Sequence, residues 1–209
     1  MTHFAQEQRA ALVAALREAG PDAPTLCAGW TARDLAAHVV ARERRVEAVG
    51  IVFKALAARL ERVQGEFAAL PWDELVGLVV AGPSLKSLFA LPGVDELANL
   101  VEFFVHCEDV RRAREGWEPR RLDPAVQDAL WRRVSGLGKV MGRRSPAGLV
   151  VRRPDGQVAV MRKGAPVATV TGEPGELVLF LSGRQEHAVV EVEGSESVVA
   201  AVRGAKLGL

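Results

Sequence analysis

The chain has no tyrosine, two cysteines, four histidines and only 5% aromatic residues among 209 positions. Two cysteines, Cys27 and Cys107, cannot build a disulfide framework, so the fold must rest on a hydrophobic core. No apolar run reaches the roughly 20 residues of a transmembrane helix, because Arg, Glu or Lys interrupts every candidate. The amino-terminal MTHFAQEQRAAL is polar and amphipathic, without the unbroken apolar stretch of a signal peptide. These absences lead to the expectation of a cytoplasmic protein with no membrane contact. Net charge is also small, at +1, although Arg doublets stand at 111/112, 120/121, 132/133, 143/144 and 152/153. No helix-turn-helix pattern, zinc-finger spacing or aromatic stacking platform accompanies them. They read as solvated faces, with one or two Arg turned toward an anionic ligand as the functional variant, and nucleic acid is not an expected partner.

What is present suffices for a core: 49% of residues are hydrophobic and 25% charged, an ordinary globular balance. Ala, Leu and Val recur at helical spacing from Ala5 to Ala19, and Gly20-Pro21 breaks the pattern. After the loop PDAPTLCAGW, Thr31 and Asp34 form a Thr-x-x-Asp start close to a capping box. It opens a helix predicted to run through Leu35, His38, Val39, Arg42, Val46 and Val49 toward Arg62. A short helix is predicted around Asp73 to Val80, another from Val94-Asp95 to Glu115 with Gly116 as its stop, and a third from Asp123-Pro124 to about Val140. Beyond Gly148 the texture alternates and becomes β-branched. LVVRR, the turn Pro154-Asp155-Gly156, QVAVMRK and PVATVTG read as three strands, GELVLFLSGR as a helix, HAVVEVEG as a strand and SESVVAAVRG as a last helix. The expected fold class is therefore α+β: a helical bundle over 1–144 and a small α+β domain over 145–209.

Within the apolar run Leu100, Val101, Phe103, Phe104 and Val105 stand Glu102 and His106, four residues apart. That spacing places both side chains on one helical face, about 6 Å apart along the axis. An ionised carboxylate in such a stripe needs a partner: the histidine, an Arg, or a divalent cation that also takes the neutral imidazole. The structural reading is a hydrogen-bonded pair; the functional reading needs a third ligand from another helix. His38, among Leu35, Ala36, Ala37, Val39 and Val40, is the candidate. Asp109 has two readings, an acceptor for the His106 ring or an ion pair with Arg112. Cys107 turns about 100° away from His106 and reads as core, while Cys27 precedes Trp30 in a loop. His3 and His187 stand outside the motifs.

The string Cys27-Ala28-Gly29-Trp30-Thr31-Ala32-Arg33-Asp34-Leu35-Ala36-Ala37-His38, with Glu102-Phe103-Phe104-Val105-His106-Cys107-Glu108-Asp109, resembles the metal-binding domain of mycothiol-dependent maleylpyruvate isomerases. Those proteins belong with the DinB-like four-helix bundles, which bind a divalent metal. The order of the carboxy-terminal elements is similar to the isomerase's small domain, a fold like that of sterol carrier proteins. The resemblance implies His38, Glu102 and His106 as metal ligands around an open position, with zinc the first choice and nickel or iron compatible with the set. It implies a low-molecular-weight thiol such as mycothiol, held as its thiolate, that adds reversibly to the substrate double bond. Arg184, in Leu181-Ser182-Gly183-Arg184, resembles the Arg which the isomerase's small domain directs at its site, and a guanidinium suits a carboxylate substrate. The implied function is a thiol-dependent isomerase or S-transferase acting on a small acidic electrophile, as a monomer or homodimer. The alternative is a non-catalytic metal-binding module whose carboxy-terminal domain takes an apolar ligand or a partner.

Overall fold

The computed structural model describes residues 3–44, 62–83 and 94–208 and shows an α+β protein of two compact units, Met1–Glu118 and Pro119–Leu209. In the first unit, α1 (Phe4–Ala19) buries Ala5, Leu12 and Leu16 at helical spacing and ends where Gly20, at φ +79°, donates its N–H to Leu16 O at 3.0 Å. The start of α2 (Ala32–Arg44) is a reciprocal cap. Thr31 N and Oγ1 both donate to Asp34 Oδ2, at 2.9 and 2.7 Å, and Asp34 N reaches Thr31 Oγ1 at 3.4 Å. The predicted continuation of this helix over 45–61 lies outside the described residues. A helical stretch over 62–68 is tied back to α2 by Arg33, which donates to Ala68 O and Leu70 O.

Then come α3 (Trp72–Ala81) and α4 (Val94–Arg111). Leu12 and Leu16 of α1, Leu35 and Val39 of α2, Leu75 and Val79 of α3, and Phe103, Cys107 and Val110 of α4 form one continuous core. The helix carrying Glu102 and His106 stops at Arg111, a turn before the Glu115 predicted from sequence. Arg112 still bonds Glu108 one turn back, through Nε at 2.6 Å, and beyond it the chain turns, with Gly116 at φ +72° and the Trp117 ring 4.5 Å from the Arg112 guanidinium.

The second unit begins with α5 (Pro124–Met141), whose cap residue Asp123 accepts from Ala125 N at 2.8 Å with Pro124 in the first turn. Strands β1 (Gly148–Arg152), β2 (Val158–Arg162), β3 (Val167–Thr171) and β4 (Glu191–Glu193) form a sheet in the order β2-β1-β3-β4. The β1–β2 and β3–β4 pairs are antiparallel and β1–β3 is parallel, in register Leu149 with Ala168 and Val151 with Val170. Those four side chains are fully buried, the period-2 face that an alternating strand presents. Gly156, at φ +90°, closes the Pro154-Asp155-Gly156 turn. The helix α6 (Pro174–Leu181) is buried throughout, and α7 (Glu196–Arg203) follows β4. The strand read from HAVVEVEG is only three residues long, because a 3₁₀ turn occupies Gln185–His187.

The two compact units divide at Glu118/Pro119. The reason is α5, which buries Val126, Ala129, Leu130 and Val134 and packs on α6 and β2. An amphipathic helix declares that it has an apolar stripe and leaves open which neighbour covers it.

One polar cluster crosses the first unit's core. Arg9 of α1 donates both Nη1 and Nη2 to the Glu43 carboxylate of α2, at 2.7 and 2.5 Å, and Nη1 also reaches Val79 O at 3.0 Å. The pair is almost wholly shielded, with side chains 10% and 2% exposed. Removing one member leaves a buried charge without its counterion, so Glu43→Ala is expected to destabilise the protein by about 3 kcal/mol or more. Joint replacement of Arg9 and Glu43 by apolar residues of similar volume should recover most of that loss; chemical denaturation of the three variants checks both outcomes.

Candidate metal centre

Glu102 and His106 lie one turn apart on α4, and His38 faces them from the first two turns of α2. Glu102 Oε1 is 3.2 Å from His106 Nε2 and 3.4 Å from His38 Nε2. One donor atom from each of the three residues falls within 4.8 Å of the other two. The imidazole centroids are 5.5 Å apart, with ring planes near perpendicular at 76°. His38, Glu102 and His106 side chains are 20%, 26% and 11% exposed, so the cluster is shielded and still reachable.

Each ring is held from behind. His106 Nδ1 is hydrogen-bonded to Asp109 Oδ2 at 2.9 Å, and Asp109 is fully buried. Nδ1–H donates to this carboxylate, so Nε2, which points at Glu102 and His38, is the nitrogen that gives up its proton when the ring becomes neutral. The ring-acceptor contact expected of Asp109 is present. The His38 ring lies against Trp30, centroids 5.0 Å apart and planes tilted by 47°. Asp34 and Thr31 cap the helix that carries His38, so cap and ring contact together fix where that imidazole enters.

Arg42, one turn beyond His38, brings Nε to 3.5 Å from Glu102 Oε1 and donates Nη1 to Asn99 Oδ1. Asn99 Nδ2 in turn donates to Glu43 Oε1 at 3.1 Å, which joins the site to the Arg9–Glu43 pair. Neither Arg42 nor Asn99 was identified as a site residue from sequence. The signal was there in spacing: Arg42 is four residues after His38 and Asn99 three before Glu102, so both share the faces of the ligand candidates.

The titration behaviour follows from these contacts. Burial pushes the Glu102 carboxyl up, but hydrogen bonds from His106 and His38 and the charges of His106 and Arg42 outweigh it and hold the pKa well below the ordinary value. Burial pushes His106 down, and the contacts with Asp109, Cys27 and Glu102 and the Glu102 charge reverse this, leaving it well above the ordinary histidine value. Together these shifts describe a carboxylate and a protonated imidazole that stabilise each other, so a cation entering here has to displace the His106 proton.

The other sequence candidates are placed as follows. Cys107 is fully buried in the core, and Cys27 is half-buried with Sγ 3.2 Å from Asp109 Oδ2. Cys27, His106 and Asp109 thus form a second group of metal-capable donors within 4.8 Å of one another. Arg184 belongs to the other unit; it is half-buried, follows Gly183 at φ +88°, and donates Nη1 to Ser182 O at 2.5 Å. No described helix is long and apolar enough to cross a membrane.

Two crystal structures of the mycothiol-dependent maleylpyruvate isomerase share this fold. A histidine-to-alanine mutant is 16% identical with a TM-score of 0.63, and the other structure is 17% identical with a TM-score of 0.61. Each alignment covers 91% of this chain and 90% of the other. No curated protein matches the chain significantly. The family described as the mycothiol maleylpyruvate isomerase N-terminal domain matches residues 3–154, a span that holds the whole His38, Glu102 and His106 cluster together with α5 and β1. On that match, over most of its length, the chain belongs to the mycothiol maleylpyruvate isomerase N-terminal domain family.

Proposed function

We propose that this protein binds a divalent metal ion through His38, Glu102 and His106 and, with a low-molecular-weight thiol of the mycothiol type, acts on a small acidic electrophile as an isomerase or S-transferase. The observation that carries the reading is the convergence of two imidazole nitrogens and one carboxylate oxygen, from two helices, within 4.8 Å. The donor chemistry fits a metal: three neutral or anionic ligands, partly exposed, leaving room for a fourth position, as a catalytic zinc requires. Zinc is the first choice and nickel or iron would suit the same donors. Bound there, the ion would supply Lewis acidity, lowering the pKa of a coordinated water or thiol or polarising a carbonyl.

The chain's own groups have separable tasks in this reading. Glu102 brings the negative charge that balances the cation, and Arg42 steadies its carboxylate with Nε 3.5 Å from Oε1, the oxygen both histidines face. Asp109 retains the Nδ1 proton of His106 and thereby commits Nε2 to the site. Trp30 keeps the His38 ring from rotating out. Arg184 is assigned to the substrate: its planar guanidinium matches a carboxylate in two-point contact, and the isomerases that share the fold act on such an acid. A DinB-like bundle and a small domain of sterol-carrier type are the fold-level counterparts of the same proposal.

Elemental analysis of the purified protein should find about one divalent ion per chain. His106→Ala and Glu102→Gln should each weaken metal affinity by more than about 100-fold, the upper end of what loss of an outer-shell partner does. Absence of stoichiometric metal, together with unchanged affinity in His106→Ala, overturns the reading. A pH series provides a second check. The ion must displace the proton of His106, whose pKa is raised, so apparent affinity should climb about tenfold per pH unit and level off only above the ordinary histidine pKa. Calorimetric titration in two buffers of different ionisation enthalpy counts the displaced proton; a flat profile from acid to neutral pH contradicts the assignment of His106 as a ligand.

A further inference from the structure

The loop from Thr25 to Trp30 touches both imidazoles of the proposed metal set. At one end the Trp30 ring packs on His38. At the other, Cys27 Sγ lies 3.2 Å from Asp109 Oδ2, the oxygen that also contacts His106 Nδ1 at 2.9 Å. The loop is tightly organised. Thr25 Oγ1 donates to Trp30 O at 2.8 Å, Cys27 N donates to Thr25 Oγ1 at 3.2 Å, and Trp30 N donates to Cys27 O at 2.9 Å. Gly29 takes φ +79°, and Leu26 N donates to Asp109 O at 3.0 Å, which pins the loop to α4 beside the carboxylate.

Asp109 is fully buried, and an ionised carboxylate in that position is stabilised by every donor that reaches it. The Cys27 S–H is one such donor and the His106 Nδ1–H another, both on the same oxygen. A second donor draws electron density from Oδ2 and leaves it an acceptor that holds the Nδ1 proton in a hydrogen bond. It also fixes the direction of that oxygen, and so the plane of the ring bonded to it. We infer that Cys27 is a positioning residue: its thiol, acting through Asp109, keeps His106 in the tautomer and orientation that present Nε2 beside Glu102 and His38. The inference rests on the metal set proposed above, and it assigns the thiol a task distinct from ligation and from packing.

Cobalt(II) titration of the wild type, Cys27→Ala and Cys27→Ser, with ¹⁵N-histidine NMR of the metal-free proteins at a pH where the ring is neutral, tests it. The wild type should bind cobalt without a thiolate-to-cobalt charge-transfer band and show His106 protonated on Nδ1. Cys27→Ala should bind about tenfold more weakly and lose the single tautomer, while Cys27→Ser, which keeps a donor for Asp109, stays within about threefold of wild type. Unchanged affinity and tautomer in Cys27→Ala, with only a shift in melting temperature, would make the thiol a packing group and overturn the inference. A charge-transfer band in the wild type that disappears in Cys27→Ser overturns it too, by making Cys27 a ligand. If the wild type takes no cobalt, the metal reading fails by itself, and the NMR comparison still decides whether Cys27 governs the His106 ring. Should Cys27→Ala fail to fold, Cys27→Val, which fills the site and lacks a donor, takes its place: tautomer loss is expected in Cys27→Val and not in Cys27→Ser, and a single Nδ1–H tautomer in Cys27→Val overturns the inference.

Discussion

A carboxylate set into an apolar helical face has to be compensated, and the way Glu102 is compensated organises the first unit. His106 reaches it from the next turn of the same helix, His38 and Arg42 from two successive turns of α2. Because the three partners come from two helices, satisfying Glu102 also sets the rotation of α2 and α4 about their axes. The apolar residues these helices give to the shared core, Leu35 and Val39 from α2 and Phe103 and Cys107 from α4, carry no directional preference of their own; the polar contacts supply it.

The compensation extends in both directions. On one side Glu102 leads through Arg42 and Asn99 to the buried Arg9–Glu43 pair, and on the other through His106 to Asp109 and Cys27. Buried polar groups of this kind are a weak source of stability, since desolvation offsets much of the attraction, and a strong source of uniqueness when each is satisfied. Here the thread places a carboxylate and two imidazoles around one point, with the His106 ring already held through Nδ1 by Asp109 and the His38 ring packed on Trp30. Little reorganisation remains for a cation that enters, which is the physical basis for reading the cluster as a metal centre. The family relationship agrees in kind: the chain matches a domain named for a mycothiol-linked isomerase, and the same fold is found in crystals of that enzyme at low sequence identity. Fold at that distance carries architecture, and chemistry has to be argued from the donors.

Much of this could be read in advance. The Thr31/Asp34 box, the Gly20 stop, the Asp123-Pro124 start and the Pro154-Asp155-Gly156 turn all form as their residue types dictate, because caps and turns are decided within four or five residues. The β-branched alternation in LVVRR and PVATVTG reads as strands, and β1 and β3 form there. What misled was longer in range. Helix α4 ends a turn before Glu115, where the Trp117 ring comes back onto the Arg112 guanidinium, a contact that no periodicity announces.

The same division holds inside the site. The sequence alone determined that Glu102 and His106 share a helical face and that His38 sits on another amphipathic helix, since 3.6 residues per turn leaves no other outcome. Only the tertiary structure decided that those faces meet, that Arg42 rather than a distant Arg flanks Glu102, and that the thiol of Cys27 reaches Asp109 across 82 positions of chain. Periodicity specifies direction about an axis; which axes approach one another is settled by packing and polar compensation over the whole unit, and no local pattern of residues encodes it.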